Sequence, residues 1–309
     1  AASDVYKRQI SLEDLETRMV SDLGDMLDKT IGVSVSKRNV SGRAYNDGIS
    51  IRGLGGKRVN ILIDGIRVAE AYTGYGRDVV DVELLKRVEI LKGPSSALYG
   101  SDGLAGAVSY ITKDPSDLAE FGQNYFSVNT SYDEDNEQTK VGLLAARVGE
   151  SLESLIQITT RELSQVELHD DANQELDPFD GEQLSVLAKF KLSLSDSVGL
   201  TLTLDSQEFE GDYIFESQAG MSYFPDVVSA SNVLGVDDGN RDRGTLSLDF
   251  SNETSMFDNG SIRFYAQETD QKQITTRSKT YFAAGPPMMV NAYRDCLLYT
   301  SDAADDTCC

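Results

Sequence analysis

The chain is poor in the residues that most catalytic and metal sites are built from. It has one histidine, His169, and three cysteines, Cys296, Cys308 and Cys309, all at its C-terminal end. No disulfide or thiolate metal site can therefore organise the body of the chain. A Ser/His/Asp triad built on His169 lacks any supporting motif, and no other arrangement points to an enzyme. No apolar run reaches the roughly 20 residues that a membrane helix needs. That leaves a soluble chain or a membrane β-barrel. Basic residues are scarce, 28 against 51 acidic, which argues against nucleic acid, whose phosphates need Lys and Arg.

The charge is unevenly placed. Residues 10–115 hold 14 basic and 15 acidic side chains, whereas residues 116–295 hold 12 and 32. Such a shift predicts two domains in different surroundings. The two ends read differently again. Residues 4–9 (DVYKRQ) and 296–301 (CLLYTS) back-translate to sequences that are reverse complements of one another, and both look like translated sequencing adapter. On that reading residues 1–9 and 296–309 are artefacts to be set aside, and the native chain is 10–295, cut at both ends.

Within the first domain, "LEDLETRMVSDLGDMLDKT" has helical spacing, with Leu23, Met26 and Leu27 on one face. Strand-like runs follow at Ile31–Val35, 48–52 and Val59–Ile63. "DVELLKRVEILKGP" predicts a short helix giving way to a strand at Val88–Leu91, and "LAGAVSYITK" a further strand ending at Pro115. The loop "IRGLGGKRVNILIDG" is glycine-rich but is no phosphate cradle. A Walker A loop needs glycine five residues before Gly-Lys and Ser or Thr after it; here those places hold Ile51 and Arg58. The pattern predicts a hairpin instead, 48–52 with 59–63, followed by a turn at Asp64-Gly65.

Three stretches in order, "LGDMLDKTIGVSV", "ISIRGLGGKRVNILIDGIRV" and "ELLKRVEILKGPSSALYGSDGLAGAVSYIT", resemble the plug domain of TonB-dependent outer-membrane receptors. Within that family they look most like the haem and haemoglobin receptors. The resemblance implies an α+β plug over 10–115 and a transmembrane β-barrel of about 22 antiparallel strands closed around it.

The second half supports a barrel independently. Membrane strands alternate apolar-out with polar-in over about ten residues. Phe126, Val128, Thr130 and Tyr132 alternate with Ser127, Asn129 and Ser131. The even positions from Leu184 to Leu194 alternate with Ser185, Lys189, Lys191 and Ser193. Leu200, Leu202, Leu204, then Leu246, Leu248, Phe250, then Ile262, Phe264, Ala266 repeat the pattern. Strands near 139–149 and 153–163 alternate less regularly. Connections alternate in length: short turns near Glu150 and at Ser195–Ser197, and long segments at 164–181, 210–241 and beyond Gln271. Short turns on one side and long loops on the other are the barrel signature. The reading is thus a partial barrel over 116–295, about seven of about 22 strands. Its open edges would leave unpaired backbone groups in lipid, so the piece alone should not insert.

By resemblance, three loops of the plug lie at the apex where ligand arrives. They hold Arg43, Tyr45, Lys57, Tyr72, Tyr75 and Arg77. Tyrosine offers a stacking face and a phenolate that can ligate ferric iron. Many haem receptors carry histidine where Tyr75 stands, which leaves a ferric siderophore or cobalamin open as the alternative cargo. His169 lies in an outer loop and is a further candidate contact. Arg52, Arg87, Glu89 and Lys92 are charges of the plug motifs, and the resemblance implies that some of them latch the plug to the wall. The expectation is a transporter and not an enzyme, with no intrinsic cofactor or metal, in the bacterial outer membrane and its lipid. Its partner would be the TonB-ExbB-ExbD energising complex, acting through a TonB box upstream of residue 10. Acidic clusters at Asp133–Asp135 and Asp237-Asp238 could take calcium or stay solvated. The rival from another class is a β-rich surface binding protein with no transport role.

Overall fold

The structure, a computed structural model, describes residues 7–11, 14, 26–27, 30–35, 49–68, 80–95, 103–134, 137–164, 177–222, 228–251, 259–281 and 288–300. The expected helix before Leu27 falls almost entirely outside them. The first part of the chain forms β1 (Lys7–Ser11), β2 (Val33–Val35), β3 (Ile49–Ile51), β4 (Val59–Ile63), β5 (Ile66–Arg67), β6 (Leu85–Lys92) and β7 (Gly106–Thr112). Five of these make one sheet in the order β1-β6-β7-β4-β5, and β2 pairs β3 separately. Strand β4 is buried at every position, and it runs parallel to β7. A run that is apolar apart from Asn60 suits a strand covered on both faces. Ile51, Ile61, Ile63, Val88, Ile90, Val108 and Tyr110 pack into one core with Met26 and Leu27.

Two expectations for this domain are corrected. The strands at 48–52 and 59–63 do not form a hairpin: β3 pairs β2 and β4 pairs β5 and β7. The reversal is tighter than expected. Arg52 and Gly53 both have positive φ, and Ile51 and Leu54 exchange backbone hydrogen bonds of 3.0 Å across them. This is a two-residue turn of the kind that favours left-handed residues. The chain then leaves through a 3₁₀ turn, Gly56–Arg58, into the other sheet. The expected short helix before Val88 is likewise only a 3₁₀ turn, Val82–Leu84, capped by Asp81, so β6 starts at Leu85. The turn at Asp64-Gly65 is present, with φ of 50° and 80°, joining β4 to β5.

The second part is a nine-stranded antiparallel sheet. Its members are β8 (Asn124–Asp133), β9 (Gln138–Val148), β10 (Leu152–Ser164), β11 (Phe179–Ser195), β12 (Val198–Ile214), the short β13 (Gly220–Ser222), β14 (Val228–Ser251), β15 (Asn259–Tyr281) and β16 (Met288–Thr300). All seven expected strands are there; β13 and β16 are additional. Each strand pairs its successor, except that β13 sits beside β14 at one end and β12 pairs β14 directly. Leu202, Leu204, Leu246, Ile262 and Phe264 are exposed on one face, while Thr203, Asp205, Thr245 and Ser247 are buried on the other. That is the outward-apolar, inward-polar wall of a membrane barrel.

Strands β9 and β10 alternate in burial as strictly as the rest. Their sequences look irregular because inward positions carry Leu144, Ala146 and Leu155, which pack with Leu187 against Leu84 of the first domain and Leu118 of the segment that follows it. Burial alternates there while polarity does not. The long segment expected at 210–241 is corrected too. Strands β12 and β14 continue in register to the pair Ile214 with Leu234, and β15 runs on to Tyr281. These strands have 17, 24 and 23 residues, well beyond the 9–11 that cross a bilayer. They therefore stand clear of the membrane on the side of the long connections.

Gly106 opens β7 where β6 comes closest. A Cβ there would lie 2.1 Å from the Leu91 carbonyl oxygen, at a φ of +155°. Gly53 also has positive φ but open space around it. Gly53→Ala should therefore cost only backbone strain, about 1–2 kcal/mol, and Gly106→Ala clearly more. Urea midpoints for plug protection from protease, in the full-length receptor, would rank the two.

Candidate functional site

The described residues join the two domains through a set of plug carboxylates and carbonyls that meet cations on the inner face of the wall. Asp81 begins it. Its side chain caps the 3₁₀ turn by accepting from the Glu83 amide at 2.9 Å. The same oxygen accepts from the Arg161 guanidinium at 2.6 Å. Both side chains are almost wholly buried, at 0% and 5% exposure. Glu83 pairs with Lys140 of β9. The Glu83 carbonyl accepts from Gln157 of β10 at 2.9 Å and from Lys113 at 2.7 Å. Arg161 and Lys140 face each other across the β9–β10 ladder, so one register places both cations under one turn.

A second contact forms at the Asp64 turn. Thr112 donates its amide and hydroxyl to Asp64, at 2.9 and 2.8 Å. Arg243 of β14 donates to the Ile63 carbonyl at 2.6 Å and to Asp205 of β12 at 2.6 Å. Arg263 of β15 donates to the Asp64 carbonyl at 2.7 Å. The third contact is Asp114, just beyond β7. It pairs with Lys189 at 3.1 Å and Lys191 at 3.0 Å, both on β11, and with Lys86 of its own domain. Lys189 also donates to the Thr112 hydroxyl at 2.7 Å.

Burial works to raise the Asp114 carboxyl, but Lys189, Lys86 and Lys191 together hold it far below the usual carboxylate range. Burial likewise works to lower Lys86, yet Asp114 and Asp117 leave it raised overall.

Of the four latch residues expected from the sequence, three make contacts inside the plug. Arg87 pairs with Glu89 at 2.9 Å, and Glu89 also with Lys7 at 3.3 Å. Lys92 donates to the Ile31 carbonyl at 2.8 Å; burial, then Arg52 and Arg8 nearby, push its pKa down. Arg52 lies exposed at the two-residue turn. The described wall contacts thus run through other residues and with reversed sign, acid on the plug and base on the wall. The apex candidates Arg43, Tyr45, Tyr72, Tyr75 and Arg77, the loop residue His169 and the Lys57 side chain lie outside what the structure describes. Among the described residues no cluster of three or more His, Cys, Asp or Glu is placed to hold a metal ion. No described helix is long and apolar enough to cross a membrane, which bears on helices only.

A signal for these wall contacts was present. Lys140, Arg161, Lys189, Lys191, Arg243 and Arg263 are basic residues at the inward positions of strands in a strongly acidic half. A lumen-facing cation beside a buried domain needs an anionic partner.

Removing one member of a buried pair strands the other charge, at about 3–5 kcal/mol. Arg161→Ala should therefore lower the urea concentration at which the plug becomes protease-sensitive, and exposed Glu120→Gln should not. Asp114 has a depressed pKa, so its contribution is complete above the ordinary carboxylate value and is lost only as pH falls through the lower folded one. Lys86 is raised, so its contribution is complete below the ordinary lysine value and is lost as pH rises through the higher folded one. Plug retention should accordingly stay flat from about pH 5 to pH 9; a fall within that range would show that the Asp114 cluster does not anchor it.

Residues 3–107 match the family model described as the TonB-dependent Receptor Plug Domain. Hemoglobin-binding protein A of Haemophilus influenzae is 28% identical over 292 residues, covering 86% of this chain and 28% of that protein. The vitamin B12 transporter BtuB of Vibrio vulnificus is 37% identical over 103 residues, 33% of this chain and 17% of that one. Among solved structures, the hemophore receptor HasR of Serratia marcescens superposes with a TM-score of 0.69 at 20% identity, over 96% of this chain and 46% of that one. The chain thus spans less than a third of either curated relative. Residues 3–107 thus belong to the plug domain of TonB-dependent receptors, and the antiparallel strands that follow, joined to it through buried ion pairs, share the fold of the matching part of HasR.

Proposed function

We propose that this chain is the plug and the first part of the barrel of a receptor that imports haem, either free or taken from haemoglobin. The observation that carries the reading is the extent of the likeness to hemoglobin-binding protein A. It covers 86% of the chain and so must run well past the plug into the wall. The likeness to the B12 transporter covers only 33%. Plugs share their motifs across cargoes, whereas barrel strands and outer loops shape the ligand's entry.

In this reading haem is cargo, met first by the outer loops and the plug apex. Tyr75 and Tyr72 would offer aromatic faces and phenolates to it, and Arg43, Lys57 and Arg77 would meet its carboxylates. Tyr45 and His169 would add contacts at the rim. Energy for displacing the plug would come from the TonB-ExbB-ExbD complex, since the ion pairs that seat the plug supply none. The protein would act as a transporter with no catalytic step. Residues 10–295 would be its native part, within 1–9 and 296–309 of adapter origin. A second reading has its own support: Tyr75 stands where many haem receptors hold histidine, and the B12 transporter shows the higher identity. It makes the cargo cobalamin or a ferric siderophore.

The test is a titration of the complete receptor with haem, followed through the Soret band. Saturable binding with a shifted band is expected, and Tyr75→Ala should weaken it about tenfold or more, the cost of losing one metal ligand or stacking face. Binding of cyanocobalamin but not haem would move the assignment to the second reading.

A further inference from the structure

The outward face of the long strands carries a sequence of three zones. The first is the membrane band, whose last row is Leu204, Gly244 and Ala266, in register across β12, β14 and β15. The second is acidic: Glu208, Glu210, Asp212, Asp238 and Asp242 are all exposed on the same face. The third is apolar again. Ile214 and Leu234 are cross-strand partners, and Val236 is the next outward residue along β14, opposite Ile274 of β15. Ile214, Leu234 and Val236 are 46%, 47% and 47% exposed.

Lipid does not explain the third zone. Ten residues separate its Ile214 row from the Leu204 row, roughly 32–34 Å along a strand. Tilt shortens that height by about a quarter, and still leaves the patch beyond the headgroup layer, which adds only about 5–8 Å on each side. Contiguous exposed apolar side chains with a polar rim mark a docking surface.

The patch is also rigidly backed. On the inner face of the same strands, Phe179, Tyr213, Phe215 and Val233 form a separate buried core. The rings of Phe179 and Tyr213 stack at 4.7 Å, and those of Tyr213 and Phe215 at 5.5 Å. Gly181 and Gly211, paired in register, leave room for the Phe179 ring, which a Cβ at either would meet at 2.5 or 3.0 Å. Asp177 fastens the neighbouring turn by accepting from the Ser217 amide and hydroxyl, each at 2.7 Å. A surface that is already ordered loses little entropy on binding.

We propose that this side-facing patch docks the protein that delivers haem, through a surface of that protein with apolar side chains ringed by lysine or arginine. The charge complement follows from the acidic zone beneath the patch, which would repel an acidic partner and draw in a basic one. Docking on the side of the barrel leaves the mouth open above the plug apex, so carrier protein and cargo occupy different surfaces. The inference rests on the haem reading and adds its protein partner's place.

The experiment uses the complete receptor in nanodiscs, with haemoglobin and free haem as separate probes. Two variants are compared with the parent: Leu234→Ser with Val236→Ser, and Glu210→Lys with Asp238→Lys. Both should weaken haemoglobin binding tenfold or more while leaving haem titration unchanged, and the second should also abolish the salt dependence expected of the parent. Unchanged haemoglobin affinity in both variants overturns the proposal, as does a loss confined to self-association, which would make the patch a contact between receptor copies. A parent receptor that binds neither probe removes the haem reading itself, before any variant is compared.

Discussion

A charge that leaves water must find a partner, and the seating of this plug follows from that constraint. Asp81 and Arg161 are both buried, and each would be costly alone. Together they fix the angle at which the 3₁₀ turn Val82–Leu84 meets β10. Around them the smaller contacts fall into place: Lys140 on Glu83, Gln157 on its carbonyl, Leu84 on the apolar floor of Leu144, Leu155 and Leu187. The Asp64 and Asp114 clusters repeat the arrangement on β14 and β11. Among the described residues these three clusters seat the plug on the wall.

The wall's composition reads differently once this is seen. Residues 116–295 carry only 12 basic side chains, and among the described residues six of them contact the plug. Most of the described acids lie instead on exposed surfaces where water solvates them, and buried Asp205 and Asp177 hold partners in Arg243 and Ser217. The net charge of this half is therefore the sum of two separate requirements, an inner face that must bind acids and an outer extension that must stay soluble above the membrane.

Much of the architecture was legible because it rests on local rules. Alternation along Leu200–Leu204 or Leu246–Phe250 gives strand and face directly, and Asp64-Gly65 gives its turn. What could not be read depended on distant residues. Nothing in "ISIRGLGGKRVNILI" says that its two strands belong to different sheets, since β2 and β7, which claim them, lie elsewhere in the chain. The irregular look of β9 and β10 came from Leu84 and Leu118, which replace water on the inner face and reward apolar residues there. The ends of β12 and β14 were hidden for another reason: above the membrane both faces meet water or protein, and the polarity code lapses. For the site, the carboxylates at Asp81, Glu83 and Asp114 look like ordinary turn residues until the inward cations opposite them are counted.

The balance of forces at the seam suits a removable part. An apolar interface of equal extent would grow stronger with every square ångström, at about 25 cal/mol, and would have to expose that area to water on release. A buried ion pair behaves otherwise. Its attraction is nearly offset by the water it excludes, so intact pairs fix position more than they add affinity, while both partners regain hydration when parted. Here the apolar part of the described seam is confined to Leu84, Leu118 and the four wall residues under them, and the rest is charge and hydrogen bond. Such a seam is specific in register and modest in strength. Under the proposed transport role, that combination lets one domain seal the lumen at rest and still yield to a pull, and the same pairs guide it back to a single seat.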